Sequence, residues 1–188
     1  MGKKRMAALM VALCVCLCLG LAGCGARSDM ERGAWQGDTF VNSWAGVSFT
    51  RPAELALDED LLDELKAQGT SLAFQEFCLR TEDKGLIIVL SYENIAATPE
   101  VTEADYLASV RQSLEKNTTP VYECGEVGST TVAGQPYADM LATINRGERY
   151  QRILARKQGN SMGVWNITYA GEADRARADA FLAAVTAP

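Results

Sequence analysis

The sequence predicts an α+β domain in which helices pack on one antiparallel β-sheet. Four strand-like runs in the last third of the chain are joined by short loops, and such loops connect antiparallel neighbours. Helical patterns interrupt the strands without strictly alternating with them, which separates this chain from parallel α/β folds. The unbroken apolar run Leu86-Ile87-Ile88-Val89-Leu90 predicts a central strand that is covered on both faces.

The N-terminal half is predicted to contain four strands and two helices. Arg51-Pro52 ends an initial hairpin, because proline cannot donate to a sheet ladder. Glu82-Asp83-Lys84-Gly85 has the composition of a hairpin loop between two further strands. Thr102 and Asp105 form a capping-box pattern before the second helix. The predicted strands are 39–42, 46–50, 71–81 and 86–92, and the predicted helices are 58–68, stopped by Gly69, and 103–116.

Three turns divide the C-terminal half into a four-stranded meander. Segments 133–136, 145–148 and 158–160 have turn chemistry, and they separate strands predicted at 122–132, 137–144, 149–157 and 161–169. In the last of these strands, Trp165 is expected in the core. A helix at 172–185 closes the chain, and the residues expected to face the sheet are Ala173, Ala176, Ala180, Phe181 and Ala184.

The first 23 residues have the pattern of an export signal. A basic start and an apolar run precede small residues, as in a signal peptide before its cleavage site. An uncleaved membrane helix is the alternative, but the apolar run is shorter than the roughly 20 residues that span a bilayer. Leu21-Ala22-Gly23-Cys24 resembles the lipobox of bacterial lipoproteins. That resemblance implies cleavage before Cys24, a diacylglycerol on its sulfur, and a protein anchored at the extracytoplasmic face of the cell membrane.

The predicted organisation is therefore a signal peptide at 1–23, a lipidated tether at 24–37 and a single domain at 38–188. Loss of the signal peptide lowers the number of Lys and Arg residues from 18 to 15, against 24 Asp and Glu, so the mature chain has a net charge of −9. Such a chain is repelled by nucleic acid and by anionic headgroups. We expect no nucleic-acid partner, and contact with the membrane through the N-terminal lipid.

The order of strands and helices also resembles that of a known fold family. The initial hairpin ends in Gly46-Val47-Ser48-Phe49-Thr50-Arg51-Pro52, and the meander has Val132-Ala133-Gly134-Gln135-Pro136-Tyr137 at its first turn. With a helix, two strands and a helix between them and a closing helix, this order resembles the Mog1/PsbP-like α/β/α sandwich of many small bacterial lipoproteins. The resemblance covers roughly residues 35–187. It implies an accessory or binding protein without catalysis, and it carries over no functional residue.

Two cysteines remain in the mature domain, Cys78 and Cys124. Outside the cytoplasm they could form a disulfide that closes a long loop. Two buried thiols are the alternative, since cysteine is often buried as a small apolar residue.

The absence of histidine restricts the chemistry of this chain. It removes Ser-His-Asp and Cys-His catalysis and most zinc enzymes, so we predict a protein that is not an enzyme and needs no cofactor or metal. A small hydrolase acting on cell-envelope material with two carboxylates is the alternative. Glu82, Asp83, Glu123 and Glu126 could gather around a cation, although a solvated turn and strand edges explain them more simply.

Aromatic and basic residues supply a candidate ligand or partner surface. Trp44 lies at a predicted turn and is expected to be exposed, whereas most other aromatics are expected to fill the core. Arg152 and Arg156 belong to a basic stretch and project to the same face of one strand. They could hold an anionic ligand such as a cell-wall polymer, or pair with acidic residues of neighbouring strands. The sequence thus predicts a membrane-anchored, non-catalytic module that binds an envelope protein or a cell-wall ligand.

Overall fold

The computed structural model describes residues 30–68 and 73–188, so the predicted signal peptide, Cys24 and the predicted helix stop at Gly69 lie outside the described residues. The described chain opens with a small antiparallel sheet of β1 (Ala34–Gln36), β2 (Thr39–Asn42) and β3 (Val47–Thr50). β1 lies inside the segment predicted as a tether. Trp35 of β1 packs against Phe40 of β2, with ring centroids 5.2 Å apart. The folded chain therefore begins before residue 38.

The main sheet is antiparallel throughout and contains eight strands. They are β4 (Ala56–Leu57), β5 (Ala73–Arg80), β6 (Leu86–Asn94), β7 (Tyr122–Cys124), β8 (Gly128–Val132), β9 (Gln135–Ile144), β10 (Arg149–Gln158) and β11 (Ser161–Tyr169). Their order is β4-β5-β6-β11-β10-β9, and both β7 and β8 pair with β9. The predicted central strand is β6, which lies between β5 and β11 with its apolar run buried.

Three helices cover this sheet in the described residues: α1 (Glu59–Gln68), α2 (Glu103–Glu115) and α3 (Glu172–Ala184). Asp58 caps α1 by accepting a hydrogen bond from the Leu61 amide at 3.1 Å. The predicted capping box of α2 is present, since Thr102 Oγ1 accepts from the Asp105 amide at 3.1 Å and Asp105 Oδ2 accepts from the Thr102 amide at 3.3 Å. None of the described helices has the length and apolar character needed to cross a membrane.

One face of the main sheet, the α3 face, is covered by α3 and by the small sheet. Trp165 of β11 is fully buried at its centre, as predicted. Its ring contacts Phe49 of β3, Phe77 of β5 and Phe181 of α3, with centroids 6.5, 5.9 and 5.8 Å away. Aromatic side chains bury large apolar areas, so these contacts attach the small sheet and α3 to the main sheet.

The opposite face, the α1–α2 face, carries two separate apolar clusters. Leu61 and Leu65 of α1 pack on side chains of β5 and β6. Leu107, Val110 and Leu114 of α2 pack on side chains of β9, β10 and β11. With helices on both faces of an antiparallel sheet, the predicted α+β sandwich is confirmed.

The hairpin turns of the meander lie where the sequence predicts them. Ala133 and Gly134 join β8 to β9 with φ of 52° and 73°, and Asn145 and Arg146 follow β9 with φ of 50° and 60°. In the two-residue loop Ala133-Gly134, positive φ at both residues gives the turn a twist that matches the flanking strands, whereas the four-residue loop 145–148 continues with positive φ at Gly147.

The strand predicted at 122–132 is instead divided into β7 and β8. Between them, the Gly125 amide donates to the Leu141 carbonyl at 2.8 Å. A Cβ atom at Gly125 would lie 3.1 Å from that oxygen, so glycine permits the close approach. The chain thus leaves the sheet after β7 and rejoins the same partner strand as β8.

The predicted inner face of α3 is wrong except at Phe181. The residues that are buried are Ala178, Phe181 and Leu182, and those that are exposed are Ala173, Ala176, Ala180 and Ala184. Phenylalanine and leucine bury more apolar area than alanine, so the large side chains determine which side of the helix meets the sheet.

A disulfide between Cys78 and Cys124 is excluded within one molecule. Cys78 lies on β5 and Cys124 on β7, five strand positions apart in the sheet order. At a spacing of about 4.8 Å per strand, this separation is about 24 Å, whereas a disulfide joins Cα atoms less than about 7 Å apart. Cys78 is instead fully buried under α1, and Cys124 is half-buried.

Glu93 of β6 is expected to make stability depend on pH. Burial raises the pKa of its carboxyl from 4.5 to about 8, although a hydrogen bond with Tyr106 lowers it in part. Since the pKa is higher in the folded state, the free energy of unfolding falls as the pH rises from about 4.5 to about 8. We predict that Glu93→Gln removes this decline and stabilises the protein at alkaline pH, measured by urea unfolding across that range.

The matched control is Glu123→Gln, because Glu123 is exposed on β7. It should leave the decline in the free energy of unfolding as it is in the wild type. If the free energy of unfolding depends on pH equally in the wild type, Glu93→Gln and Glu123→Gln, then burial does not raise the pKa of Glu93.

Candidate functional site

A pocket opens on the α3 face, where β6, β10 and β11 meet the loop between β2 and β3. The space within it that a water-sized sphere can reach is about 10 Å³. We call it the Arg156 pocket, and its principal lining residues are Trp44, Ala45, Tyr92, Tyr137, Arg156 and Gln158. This space holds about one water molecule, so only the tip of a small polar or charged group could enter the pocket as it stands.

The buried amide of Asn42 holds two walls of the pocket in place. Its Oδ1 accepts from the Ala45 amide at 2.8 Å, which fixes the loop that carries Trp44. Its Nδ2 donates to the Tyr92 hydroxyl at 3.3 Å and to the Glu31 carbonyl at 3.0 Å. One side chain therefore joins the loop, the main sheet and the N-terminal arm, which we define as residues 31–33.

Glu76 extends this network from a β-bulge in β5. The register shifts between Gln75 and Phe77, so Glu76 is the extra residue of the bulge. Its carboxylate accepts from the Gly33 amide at 3.0 Å and from Asn42 Nδ2 at 3.5 Å. Burial raises the pKa of Glu76, and these hydrogen bonds and the nearby charge of Arg32 oppose that rise. The N-terminal arm is thus held beside the pocket.

Tyr92 and Trp44 form the aromatic wall. Their rings meet edge to face with centroids 5.4 Å apart, and Tyr92 is almost completely buried. Gly163 lies opposite Tyr92 in the sheet register, where a Cβ atom would come within 3.3 Å of the tyrosine ring. Burial and the charge of Glu76 raise the pKa of Tyr92, so its hydroxyl stays protonated.

Among the described lining residues, Arg156 alone carries a charge. Its Nη1 donates to the Ala45 carbonyl at 3.0 Å and to Gln158 Oε1 at 3.2 Å. Gln158 Nε2 in turn donates to the Trp44 carbonyl. The Arg156 guanidinium lies over Tyr137, with its carbon 6.0 Å from the ring centroid. Within residues 30–68 and 73–188, no carboxylate lies within ion-pair distance of it.

Arg152 projects to the same face as Arg156 but takes part in a different arrangement. Its Nη2 donates to Asp139 at 2.6 Å and its Nη1 donates to Asp179 of α3 at 3.0 Å. The buried Leu154 separates the two arginines along β10. Of the predicted surface residues, the structure brings Trp44 and Arg156 together, and it uses Arg152 to pair β9 with α3. Trp44 is half-buried, in contrast to its predicted exposure.

The acidic residues considered for a cation lie on different parts of the sheet. Glu82 and Asp83 lie in the loop between β5 and β6, whereas Glu123 and Glu126 lie on or beside β7. Of the residues that the structure describes, no group of three or more Asp, Glu or Cys side chains could hold a metal ion. The described lining of the Arg156 pocket contains no carboxylate, and so it lacks the acid pair that a glycosidase needs.

Sequence reasoning missed several residues that build this pocket. Asn42 had one local signal, since Asn before a turn often accepts from the backbone two or three residues ahead. No local signal in the sequence points to Glu76, because the bulge that positions it arises only when β5 pairs with β6. Tyr92 and Tyr137 were expected in the core, and both are buried there with one edge in the pocket wall.

The comparisons with known proteins identify the fold. No protein-family model and no curated protein matches this chain. The solution structure of cyanobacterial PsbP (CyanoP) from Synechocystis sp. PCC 6803 is similar over 88% of this chain and 99% of that chain, with 11% sequence identity and a TM-score of 0.55. This likeness confirms the predicted PsbP-like fold, and at this identity it concerns the fold alone.

Two other solved structures are less similar. One is a protein from Bacteroides thetaiotaomicron VPI-5482, with 15% identity, a TM-score of 0.43, and coverage of 82% of this chain and 49% of that chain. The other is LpqN, described as involved in cell envelope biogenesis of Mycobacterium tuberculosis, with 14% identity, a TM-score of 0.44, and coverage of 76% and 83%.

We predict that Asn42→Ala lowers the free energy of unfolding by about 2–3 kcal/mol, because buried partners lose their hydrogen bonds. Urea unfolding of the wild type and the variant measures this change. Ser43→Ala is the control in the same loop, since Ser43 is exposed. Its effect should stay within about 0.5 kcal/mol. Equal effects of the two substitutions would show that the amide does not organise the pocket.

Proposed function

We propose that this protein is a lipid-anchored, non-catalytic binding module at the extracytoplasmic face of the cell membrane. We further propose that its Arg156 pocket captures an anionic group of a cell-envelope ligand. One observation carries the proposal: Arg156 is a half-buried cation that has two neutral acceptors and, among the described residues, no carboxylate partner.

Arg149 is also half-buried and donates to two backbone carbonyls, so what distinguishes Arg156 is its place in the wall of a pocket. Acidic residues outnumber basic ones in the chain, 24 to 18. Arg80 pairs with Asp58, and Arg152 pairs with Asp139. A cation removed from water without a counter-charge is costly, and an entering anion would offset that cost. Two parallel hydrogen bonds from a guanidinium to a carboxylate or phosphate add both energy and geometric specificity.

The shape of the site favours a carboxylate or phosphate on a short stem. The planar guanidinium of arginine matches the two oxygens of such groups. The Trp44 and Tyr92 rings provide apolar walls beside Arg156. Carboxylates and phosphates are the charged groups of anionic envelope polymers, so a fragment of such a polymer is the ligand that this pocket fits.

The lipid anchor would keep the pocket near the membrane. The six residue steps from Cys24 to Met30 span at most about 20 Å of extended chain. The N-terminal arm that follows is hydrogen-bonded through Asn42 to Tyr92, a residue of the pocket wall. A ligand held in the pocket would therefore be held close to the bilayer surface.

We predict that Arg156→Gln weakens anion binding at least tenfold, because each hydrogen bond to a charged group contributes about 1.5–3 kcal/mol. The probes are N-acetylmuramyl-L-alanyl-D-isoglutamine, which carries a carboxylate, and glycerol phosphate. Calorimetry and tryptophan fluorescence of the detergent-solubilised mature protein measure the affinity. Arg156→Lys should bind with intermediate affinity, since it keeps the charge and loses the planar donor pair.

Arg175→Gln is the matched control for charge, because Arg175 is exposed on α3. It should bind both probes as the wild type does. If the wild type binds neither probe, or if Arg156→Gln binds them equally well, the pocket is not an anion site.

The anchor is tested separately at Cys24. Mass spectrometry of the membrane-extracted protein should find a chain that begins at a diacylglyceryl-modified Cys24. We predict that Cys24→Ser abolishes this modification, and that Cys124→Ser leaves it unchanged. An intact leader with an unmodified Cys24 in the native protein would refute the proposed anchor.

A further inference from the structure

The Arg156 pocket admits only the tip of a charged group, so the rest of the proposed ligand must lie along the surface beside it. On the α3 face, one row of side chains runs from the pocket across adjacent strands. We call it the cross-strand row. Its members in strand order are Phe74 of β5, Tyr92 of β6, Gly163 of β11, Arg156 of β10 and Tyr137 of β9.

The strand register makes this row continuous. Phe74 lies opposite Tyr92, which lies opposite Gly163. Gly163 in turn lies opposite Arg156, and it has no side chain that would block the path between Tyr92 and Arg156. Three strand steps separate Phe74 from Arg156, a distance of about 14 Å at about 4.8 Å per step. The half-buried Phe74 is thus within reach of an extended ligand held at Arg156.

A second arginine lies over the far end of the row. The guanidinium carbon of Arg32 is 4.2 Å from the centroid of the Phe74 ring. Arg32 is exposed, and among the described residues no carboxylate lies within ion-pair distance of it. Arginine stacks on aromatic faces through its plane, which leaves the N–H groups at its edge available to an anion. Arg32 therefore has the same capacity to bind a carboxylate or phosphate as Arg156.

The N-terminal arm holds Arg32 in place from both sides. The carbonyl of Glu31, the residue before it, accepts from Asn42 at 3.0 Å. The amide of Gly33, the residue after it, donates to the Glu76 carboxylate at 3.0 Å. A Cβ atom at Gly33 would lie 2.2 Å from a ring atom of β2, so glycine permits this close approach. Because the backbone on both sides is already fixed, ligand binding at Arg32 costs little conformational entropy.

The spacing of the two arginines selects a ligand with more than one charge. Arg32 lies over β5 and Arg156 lies on β10, so β6 and β11 separate them. One carboxylate or phosphate is too small to contact both guanidinium groups across two strands. Between them, the half-buried Trp44 ring packs on Tyr92 and offers an apolar surface to the units that join successive charges.

Building on the proposed function of the Arg156 pocket, we propose that Arg32 is a second anion-binding residue. The ligand is then a linear polyanion that lies along the cross-strand row and contacts both arginines. Once one charged group is bound at Arg156, the next contact forms within the same complex at a high effective concentration, which raises the affinity. A ligand with a single charge gains nothing from Arg32, because it binds at Arg156 alone.

The test compares glycerol phosphate with a glycerol phosphate hexamer by calorimetry, with the mature protein in a nonionic detergent. We predict that Arg32→Gln weakens binding of the hexamer about tenfold, because one charged hydrogen-bonding contact is lost. The same substitution should leave binding of glycerol phosphate as it is in the wild type. Arg156→Gln should weaken binding of both probes.

Arg175→Gln is the matched control, because it removes the same charge from an exposed arginine on α3, and it should bind the hexamer as the wild type does. Arg32→Lys keeps the charge without the planar donor edge and should bind the hexamer with intermediate affinity. If Arg32→Gln and Arg175→Gln bind the hexamer equally well, Arg32 is not part of the site, although Arg156 still binds glycerol phosphate. If Arg156→Gln binds both probes as tightly as the wild type, the proposed function fails as well.

Discussion

The pairing of β6 with β11 is the constraint on which the Arg156 pocket depends. Nine residue pairs, from Leu86 opposite Tyr169 to Asn94 opposite Ser161, join the N-terminal half of the chain to the meander. This register sets Tyr92 against Gly163 on the α3 face and Ser91 beside Asn166 on the α1–α2 face. A slip of one residue would exchange the two faces of β6 and remove the pocket.

The small sheet is attached to this frame by two kinds of contact. Aromatic packing of Phe49 on Trp165 and Phe77 supplies non-directional attraction through the core. The Asn42 amide adds directional hydrogen bonds at the pocket. Packing alone would tolerate small rotations of the sheet, whereas the hydrogen bonds fix the loop that carries Trp44. The same amide binds the N-terminal arm, so the position of the arm and the shape of the pocket are coupled.

Arg152 and Arg156 show how neighbours decide the role of a residue. Both lie on β10 and project to the α3 face. Asp139 and Asp179 satisfy Arg152, so it serves as a link between β9 and α3. The neighbouring strand places Gly163 opposite Arg156, and the loop between β2 and β3 places the Ala45 carbonyl beside it, so no acid is in reach from either. Spacing along the strand predicts that the two arginines share a face, but it cannot predict which acidic side chains approach from another strand or helix.

The sequence by itself determined the features that depend on local chemistry. These include the α2 capping box, the meander turns and the buried β6, because backbone conformation and hydrophobic pattern are properties of adjacent residues. Tertiary structure decided the features that depend on distant partners. It placed Cys78 and Cys124 on strands five positions apart in the sheet, determined that α3 packs through Phe181 and Leu182, and assembled the Arg156 pocket. Each of these joins residues far apart in the chain, and only the strand order and register bring them together.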